Sequence, residues 1–131
     1  MAKETIEERM EKSLTRVVKL VFPNLISHQD HLFGGTALQW MDEVAVITGT
    51  RFCRQRLVTA SLDRIDFKKG VPAGTLVELV GRVIKVGRTS MVVEVDVFME
   101  QLYTEERESV IKGTFTLVAV DENRKPTPVL R

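Results

Sequence analysis

Two glycines and one carboxylate, at a fixed spacing, are the residues of this chain best suited to chemistry. Gly34 and Gly35 begin a predicted helix, and Asp42 follows eight and seven positions later. The first N–H groups of a helix lack intrahelical partners and carry a partial positive charge, which favours an anion or a developing oxyanion. Glycine leaves that backbone open to a ligand because it has no Cβ. The two glycines are therefore a candidate oxyanion-binding site.

Asp42 lies on a helix that is apolar on almost every side. Its apolar residues are Ala37, Leu38, Trp40, Met41, Val44, Ala45, Val46 and Ile47. An ionised carboxylate buried among such side chains costs several kcal/mol unless it is paired or used. The positions three and four residues away on either side hold no cation. We interpret Asp42 as a catalytic acid or base; the alternatives are an Asp that faces solvent or one that pairs with a distant Arg.

The same spacing predicts that two chains share each site. A helix rises about 1.5 Å per residue, so Asp42 lies roughly 10–12 Å along the axis from the amides of Gly34 and Gly35. Reacting groups must come within about 3–3.5 Å of one acyl carbon, which two groups so far apart on one helix cannot do. If both act on one substrate, they come from two copies of the chain. We therefore expect a homodimer with the site at its interface.

The pattern of the remaining chain predicts a fold that could hold such a helix. Apolar alternation predicts five strands, at residues 16–22, 56–67, 75–86, 89–100 and 109–120, and the apolar helix spans residues 33–53. Residues 4–12 predict a short exposed helix or a frayed arm, residues 25–32 a loop, and residues 121–131 an irregular tail. One strand, one long helix and four strands indicate an α+β domain over residues 1–131, with a curved antiparallel sheet wrapped around the central helix and a second subunit over its exposed flank.

Composition excludes several classes of partner. The chain has 131 residues and a net charge of +1, which argues against nucleic acid or a membrane recognised by bulk charge. The single Cys53 excludes an internal disulfide, and no apolar run is long enough to span a bilayer. Residues 1–8 are too polar for a signal peptide. We expect a cytoplasmic location.

The element order and residues 33–42 resemble the hotdog-fold acyl-CoA thioesterases, and more narrowly the acyl-CoA hydrolase group that includes brain acyl-CoA hydrolase and its short bacterial relatives. The resemblance covers residues 18–129, with support from residues 58–59, 85–90 and 115–121. It implies hydrolysis of acyl-CoA to free fatty acid and coenzyme A, with no cofactor besides the coenzyme of the substrate. Asp42 would attack the thioester or activate water, and the amides of Gly34 and Gly35 would polarise the carbonyl. It also implies dimers that assemble further, often into hexamers as trimers of dimers.

One position departs from the family pattern. The family usually has Asn in the loop before the helix, where this chain has Ser27. The resemblance implies that this Asn places the water or the acyl carbonyl. Serine keeps a donor and an acceptor but is shorter by the amide group. Asn24, three residues upstream, is an alternative that would need a different path of the loop. We expect Ser27 to take the role of the Asn.

Candidate contacts to coenzyme A follow from the resemblance. Four residues at a predicted hairpin would hold the phosphates, namely Lys85, Arg88, Thr89 and Ser90, although a solvated turn is the alternative. Thr59 and Ser61 would line the channel for the pantetheine arm, and Lys68 and Lys69 form a second basic pair.

Other classes of function fit the sequence less well. His28 and His31 lack an obvious third ligand, so we expect no metal site. A non-catalytic acyl-CoA sensor on the same fold is the main alternative, but the few polar residues before the first strand cannot form a DNA-binding domain. A hydroxyacyl dehydratase would need a His paired with an acid, and the buried helix supplies only Asp42. No feature of the sequence sets the acyl chain length.

Overall fold

A computed structural model describes residues 4–130, so residues 1–3 and 131 of the expected single domain lie outside it. The elements in chain order are α1 (Ile6–Lys12), β1 (Thr15–Leu20), a 3₁₀ turn (Pro23–Leu25), α2 (Gly34–Cys53), β2 (Leu57–Phe67), β3 (Leu76–Val86), β4 (Ser90–Glu100) and β5 (Arg107–Ala119). The predicted order of one strand, one long helix and four strands is confirmed.

All five strands form one antiparallel sheet in the order β1-β3-β4-β5-β2. Sequential strands β3, β4 and β5 are neighbours, whereas β2 pairs only with β5 and leaves its other edge open. β4 alternates buried and half-buried residues along its whole length, because one face of the sheet packs on the helix. The helix α2 contacts every strand. The expected α+β arrangement around a central helix is therefore observed.

The bounds of the elements differ from prediction by one or two residues. β1 begins at Thr15 and ends at Leu20, two residues early, because the turn that begins at Pro23 takes the chain away from the sheet. β5 begins at Arg107, opposite Glu100 of β4, and ends at Ala119. Val120 instead forms an isolated bridge with Pro126 in the otherwise irregular tail.

The N-terminal segment forms a capped helix that packs on the end of α2. Thr5 caps α1 by accepting a hydrogen bond from Glu8 N, as Thr commonly does at this position. Arg9 donates to the carbonyl of Phe52 (2.5 Å) and stacks over the Phe52 ring. Arg51 of α2 donates to the carbonyl of Leu14 (2.9 Å). Of the two sequence alternatives, the short helix is correct and the frayed arm is wrong.

The helix α2 is buried on one side only, which differs from the expectation of burial all round. Its buried residues are Ala37, Met41, Val44, Ala45, Thr48, Gly49, Phe52 and Cys53. The opposite flank is open, with Ile47 44% exposed and Asp42 half-buried. A single curved sheet covers one side of a helix, so the apolar flank of α2 is left for another surface to cover. Within residues 4–130, no helix is long and apolar enough to cross a membrane.

Close packing between the helix and the sheet depends on glycine in the strands. A Cβ at Gly81 of β3 would overlap Thr48 Oγ1 and lie 2.9 Å from Val44 Cγ1. We expect Gly81→Ala to destabilise the protein by about 1–3 kcal/mol, the usual cost of overpacking, as measured by denaturant unfolding. Thr48→Ala removes the overlapping hydroxyl, so the cost should fall in that background. An equal cost in both backgrounds would contradict the packing argument.

Candidate functional site

The carboxylate of Asp42 is held by one hydrogen bond from the sheet. Thr59 Oγ1 donates to Asp42 Oδ1 at 2.7 Å. Thr59 points toward α2 because it pairs with Leu117 of β5, a fully buried residue on the helix-facing side of the sheet. No other hydrogen bond or ion pair from residues 4–130 reaches this carboxylate. One oxygen is therefore fixed in place, and the other is left to accept a proton or attack a carbon.

The surroundings of Asp42 are a shallow and mainly apolar groove. It has a volume of about 430 Å³ and is lined by Asp42, Glu43, Val46 and Ile47. Glu43 accepts a hydrogen bond from Gln39 on the same exposed flank of the helix (3.4 Å). No cation of the described chain pairs with Asp42, so none of its arginines within residues 4–130 is the distant partner considered above. An apolar groove with one oriented carboxylate is suited to acid–base or nucleophilic chemistry.

The start of α2 presents open backbone amides. The residue that precedes the helix, Phe33, makes no side-chain hydrogen bond to the first turn. Gly34 and Gly35 are exposed, and a Cβ placed on Gly35 would meet no atom within 4 Å. At Gly34 the nearest neighbour of such a Cβ is the ring of Phe67, at 3.7 Å. The backbone at Gly34 and Gly35 is thus exposed at the start of the helix.

Ser27 and Gly34 lie in the same groove at the start of α2. This groove has a volume of about 500 Å³, and its apolar wall includes Leu32, Ala37, Phe67, Val71 and Ile111. The loop is held by Ser27 N–H, which donates to His31 O (2.6 Å), and by Ser27 Oγ, which accepts from Gln29 N (3.1 Å). Asn24, the alternative to Ser27, lies in the 3₁₀ turn and does not line the groove.

Within one chain, the two halves of the predicted site are separate. The groove at Asp42 and the groove at Gly34 share no residue. Both Asp42 and Gly34 lie on the single uninterrupted helix α2, so the separation of roughly 10–12 Å that the sequence predicts applies. The geometry of one chain therefore brings Ser27 together with Gly34, and Thr59 together with Asp42, but does not join the two pairs.

A bulge in β2 separates Thr59 from Ser61. The family resemblance implies that both residues line the channel for the pantetheine arm. The register of β2 shifts between Thr59 and Ser61, so Ser61 pairs with Thr116 on the sheet face away from α2. There Ser61 Oγ donates to Asp63 (2.7 Å). Hydrogen bonds from Ser61 and then Thr116 hold the pKa of the Asp63 carboxyl below its ordinary value. The two residues therefore face opposite sides of the sheet within this chain.

The residues expected to hold phosphates lie together at the β3–β4 hairpin. Gly87 N–H donates to Ser90 O (2.8 Å) and closes the turn. The tail packs against it, because Val129 N–H donates to Arg88 O (2.8 Å). On the outer sheet face, Lys85 pairs with Val92, which pairs with Thr116, the neighbour of Ser61. Lys85 and Ser61 thus lie in one row across the outer face of the sheet. Thr59 lies on the opposite face, toward α2.

The two histidines and the second basic pair, Lys68 and Lys69, line the groove at the start of α2. The ring of His31 packs directly over Gly70. Lys68 donates to Ser109 (3.1 Å), and Lys69 forms an ion pair with Glu108 (2.8 Å). Within residues 4–130, no group of three His, Cys, Asp or Glu side chains is arranged to hold a metal ion.

The contact between Thr59 and Asp42 is not predicted from the sequence. The family resemblance implies a place for Thr59 in a substrate channel, and the sequence shows no partner for Asp42. Two features of the sequence could have predicted this contact. The alternation of β2 places Thr59 on the same face as Leu57, toward the helix, and no cation lies near Asp42 in the sequence. A hydroxyl donor on the facing strand is the simplest way to hold such a carboxylate.

Comparisons with a family model, with known proteins and with solved structures found similar chains. Residues 29–106 match the family model of the thioesterase superfamily. The uncharacterized acyl-CoA thioester hydrolase YkhA of Bacillus subtilis is 42% identical over 130 residues, which cover 98% of this chain and 75% of that protein. An apo-hexameric acyl-CoA thioesterase has a similar structure, with a TM-score of 0.89 and 41% identity over 92% of this chain and 78% of that chain.

A third similar protein was solved with ligands. The acyl-CoA hydrolase of Staphylococcus aureus, in complex with butyryl coenzyme A, coenzyme A and coenzyme A disulfide, has a TM-score of 0.88 and 31% identity, over 92% of this chain and 74% of that chain. Structures of that hydrolase also include variants in which an asparagine, a threonine or an aspartate is replaced by alanine.

Proposed function

Because the chain belongs to the thioesterase superfamily and is a hotdog-fold acyl-CoA thioesterase, we propose that it hydrolyses acyl-CoA at a site built around Asp42. The observation that carries this proposal is the hydrogen bond from Thr59 to Asp42 in an open apolar groove (2.7 Å). A carboxylate that is oriented but not neutralised by a cation retains its capacity as a base or nucleophile. The reaction needs only water besides acyl-CoA, so we propose no further cofactor.

Two routes are open to the unbound oxygen of Asp42. As a general base, it takes a proton from a water molecule whose oxygen attacks the acyl carbon. As a nucleophile, it attacks that carbon itself and forms an anhydride that water then hydrolyses. In both routes the carbonyl oxygen becomes negative, the C–S bond breaks, and the coenzyme leaves as a thiolate that takes up a proton. The amides of Gly34 and Gly35 stabilise that oxyanion.

We propose that each site combines Asp42 of one chain with the glycine amides of its partner. β2 is an open sheet edge, and two-fold symmetry would pair it antiparallel with the same strand of a second chain. Pairing centred close to Asp63 places Thr59 of one chain opposite Phe67 of the other, since both are four residues from the centre. Thr59 contacts Asp42, and Phe67 faces Gly34, so this pairing brings Asp42 toward the partner's Gly34.

Exposed apolar side chains support this dimer. Those on β2 and the open flank of α2 are Val58, Leu62, Phe67 and Ile47, each between 43% and 53% exposed. Covering such side chains is the usual driving force for association. We further propose that the dimers assemble into a hexamer, as in the apo-hexameric thioesterase of similar structure. The single domain and the cytoplasmic location stay predictions.

The first test removes the base. Asp42→Asn keeps the shape of the side chain, so kcat for acyl-CoA hydrolysis should fall by about 10²–10⁴ with little change in affinity for acyl-CoA. Thr59→Val should lower kcat as well, whereas Thr59→Ser keeps the hydroxyl and should retain most activity. Release of free thiol is the measurement, with circular dichroism as the control for folding. Near-normal turnover by Asp42→Asn would refute the mechanism. If the wild-type protein bound acyl-CoA but released no thiol, the protein would be an acyl-CoA sensor and not an enzyme.

The second test asks whether two chains share the site. Asp42→Asn and Gly35→Phe are each made, confirmed as folded dimers and shown to be inactive. After the two are unfolded and refolded together, half of the dimers are hybrids, and each hybrid has one site with both defects and one intact site. Activity should recover to about a quarter of that of wild type refolded in parallel. No recovery in a sample with demonstrated hybrids would place both groups in one chain.

The third test concerns Ser27. Ser27→Asn should raise turnover, because the longer amide reaches further into the groove that Ser27 shares with Gly34. Ser27→Ala should lower kcat roughly fivefold, equivalent to about 1 kcal/mol for one lost hydrogen bond. Melting temperatures of both variants control for disruption of the turn to Gln29. If both rates equal that of wild type, Ser27 has no part in the reaction.

A further inference from the structure

Positive charges that lack partners are concentrated at one end of the molecule. Across residues 4–130, most Lys and Arg side chains make a hydrogen bond, an ion pair or a ring contact. Seven make none, and six of these lie near the C-terminus of α2, the β3–β4 hairpin and the tail, namely Arg54, Arg56, Lys85, Arg88, Arg124 and Lys125. Arg82, on the outer face of β3, is the seventh.

Hydrogen bonds tie the parts of this basic end to one another. Val120 N–H donates to Arg56 O (2.9 Å), which joins the tail to the start of β2. Gln55 Nε2 donates to Val129 O (2.8 Å), and Val129 N–H donates to Arg88 O (2.8 Å). A continuous set of contacts therefore connects the loop between α2 and β2 with the hairpin. The backbone segments that carry these charges are therefore joined to one another.

A groove at this end contains two of the unpartnered arginines. It has a volume of about 410 Å³ and is lined by Arg54, Arg56, Gln55 and the turn at Asp121. The carboxylate of Asp121 accepts hydrogen bonds from the backbone N–H groups of Asn123 (2.8 Å) and Lys125 (3.0 Å). Asp121 is thus engaged by its own turn, and the exposed Glu122 is the other acid in the lining. The two guanidinium groups remain available to an anion, which arginine binds through parallel N–H donors.

The distance from the catalytic carboxylate suits coenzyme A. Arg54 lies twelve positions beyond Asp42 (42 to 54), roughly 18 Å along the helix direction. Arg56 lies three positions from Thr59, which contacts Asp42, or about 10 Å along the strand. The pantetheine arm between the thioester and the phosphates is about as long as four or five extended residues, ~15 Å. This end of the molecule is therefore within reach of the phosphates of a coenzyme A whose thioester lies at Asp42.

We infer that Arg54 and Arg56 bind the 3′-phosphate of coenzyme A, apart from the hairpin that holds the diphosphate. The inference rests on the proposed function. It assigns to the groove the one phosphate of coenzyme A that the hairpin residues do not bind. Coenzyme A has phosphates at two places, a diphosphate in the chain and a monoester on the ribose. The hairpin with Lys85 and Arg88 and the groove with Arg54 and Arg56 are two separate sets of unpartnered cations. The 3′-phosphate site makes the protein selective for coenzyme A over its dephosphorylated form.

The test measures binding of two ligands, coenzyme A and 3′-dephospho-coenzyme A, by calorimetry to the whole protein. Wild type should bind coenzyme A roughly tenfold more tightly, as expected for charge-assisted contacts at an exposed site. Arg54→Gln/Arg56→Gln should weaken coenzyme A to the level of the dephospho form and leave the dephospho form unchanged. Glutamine is chosen because Arg54 has φ 53°, where Gly or Asn would change stability for reasons unrelated to charge. kcat at saturating acyl-CoA should not change.

Two controls separate this site from general charge. Arg124→Gln/Lys125→Gln removes the same charge from the same end but outside the groove lining, and should keep the tenfold preference. Arg88→Gln should weaken both ligands equally, because both carry the diphosphate. The inference fails if wild type does not distinguish the ligands, if the groove variant weakens both equally, or if the control pair abolishes the preference. Thiol release by wild type, and its loss in Asp42→Asn, tests the proposed function independently.

Discussion

The hydrogen bond between Thr59 and Asp42 is the interaction on which the arrangement of the site depends. It joins the middle of the central helix to the strand at the open edge of the sheet (2.7 Å). By occupying one carboxylate oxygen, it orients the other toward the exposed apolar flank. No cation of the described chain pairs with Asp42. A second subunit over this flank would exclude water from the groove and strengthen the electrostatic interactions of the carboxylate with the substrate.

Glycine and edge structure explain how the fold leaves this site open. Gly81 lets α2 approach the sheet so closely that a Cβ there would overlap Thr48, and a Cβ at Gly113 would overlap Ile65 of the neighbouring strand β2. The helix thereby buries one face completely and leaves its other face, with Asp42, beside the unpaired edge of β2. An incompletely covered helix and an unpaired strand edge are both unfavourable in a lone chain. One two-fold association would relieve both, which links the stability of the fold to completion of the site.

Paired and unpaired cations lie in different parts of the molecule. On the far part of the outer sheet face, Arg107 contacts Glu78 (2.6 Å) and Glu100 and lies over the ring of Phe98. The positive charge of Arg107 is thus paired with acidic residues of the same chain. At the hairpin end the cations have no such partners, and a near-neutral chain thus carries a local positive surface that its net charge of +1 conceals. The overall charge of the chain does not indicate this local concentration of cations.

The sequence alone determined the α+β class, the order of the elements, the apolar helix that carries Asp42 and the glycines at its start. It also determined that Asp42 and the glycine amides of one chain cannot contact the same acyl carbon. Their separation follows from the rise per residue of a helix, which does not depend on the rest of the fold. Tertiary structure decided the partner of Asp42, the separation of Thr59 from Ser61 and the meeting of Arg54, Arg56 and Arg88 at one end. A bulge reverses the face of every residue beyond it, and strand register depends on residues distant in sequence, so local patterns do not contain these outcomes.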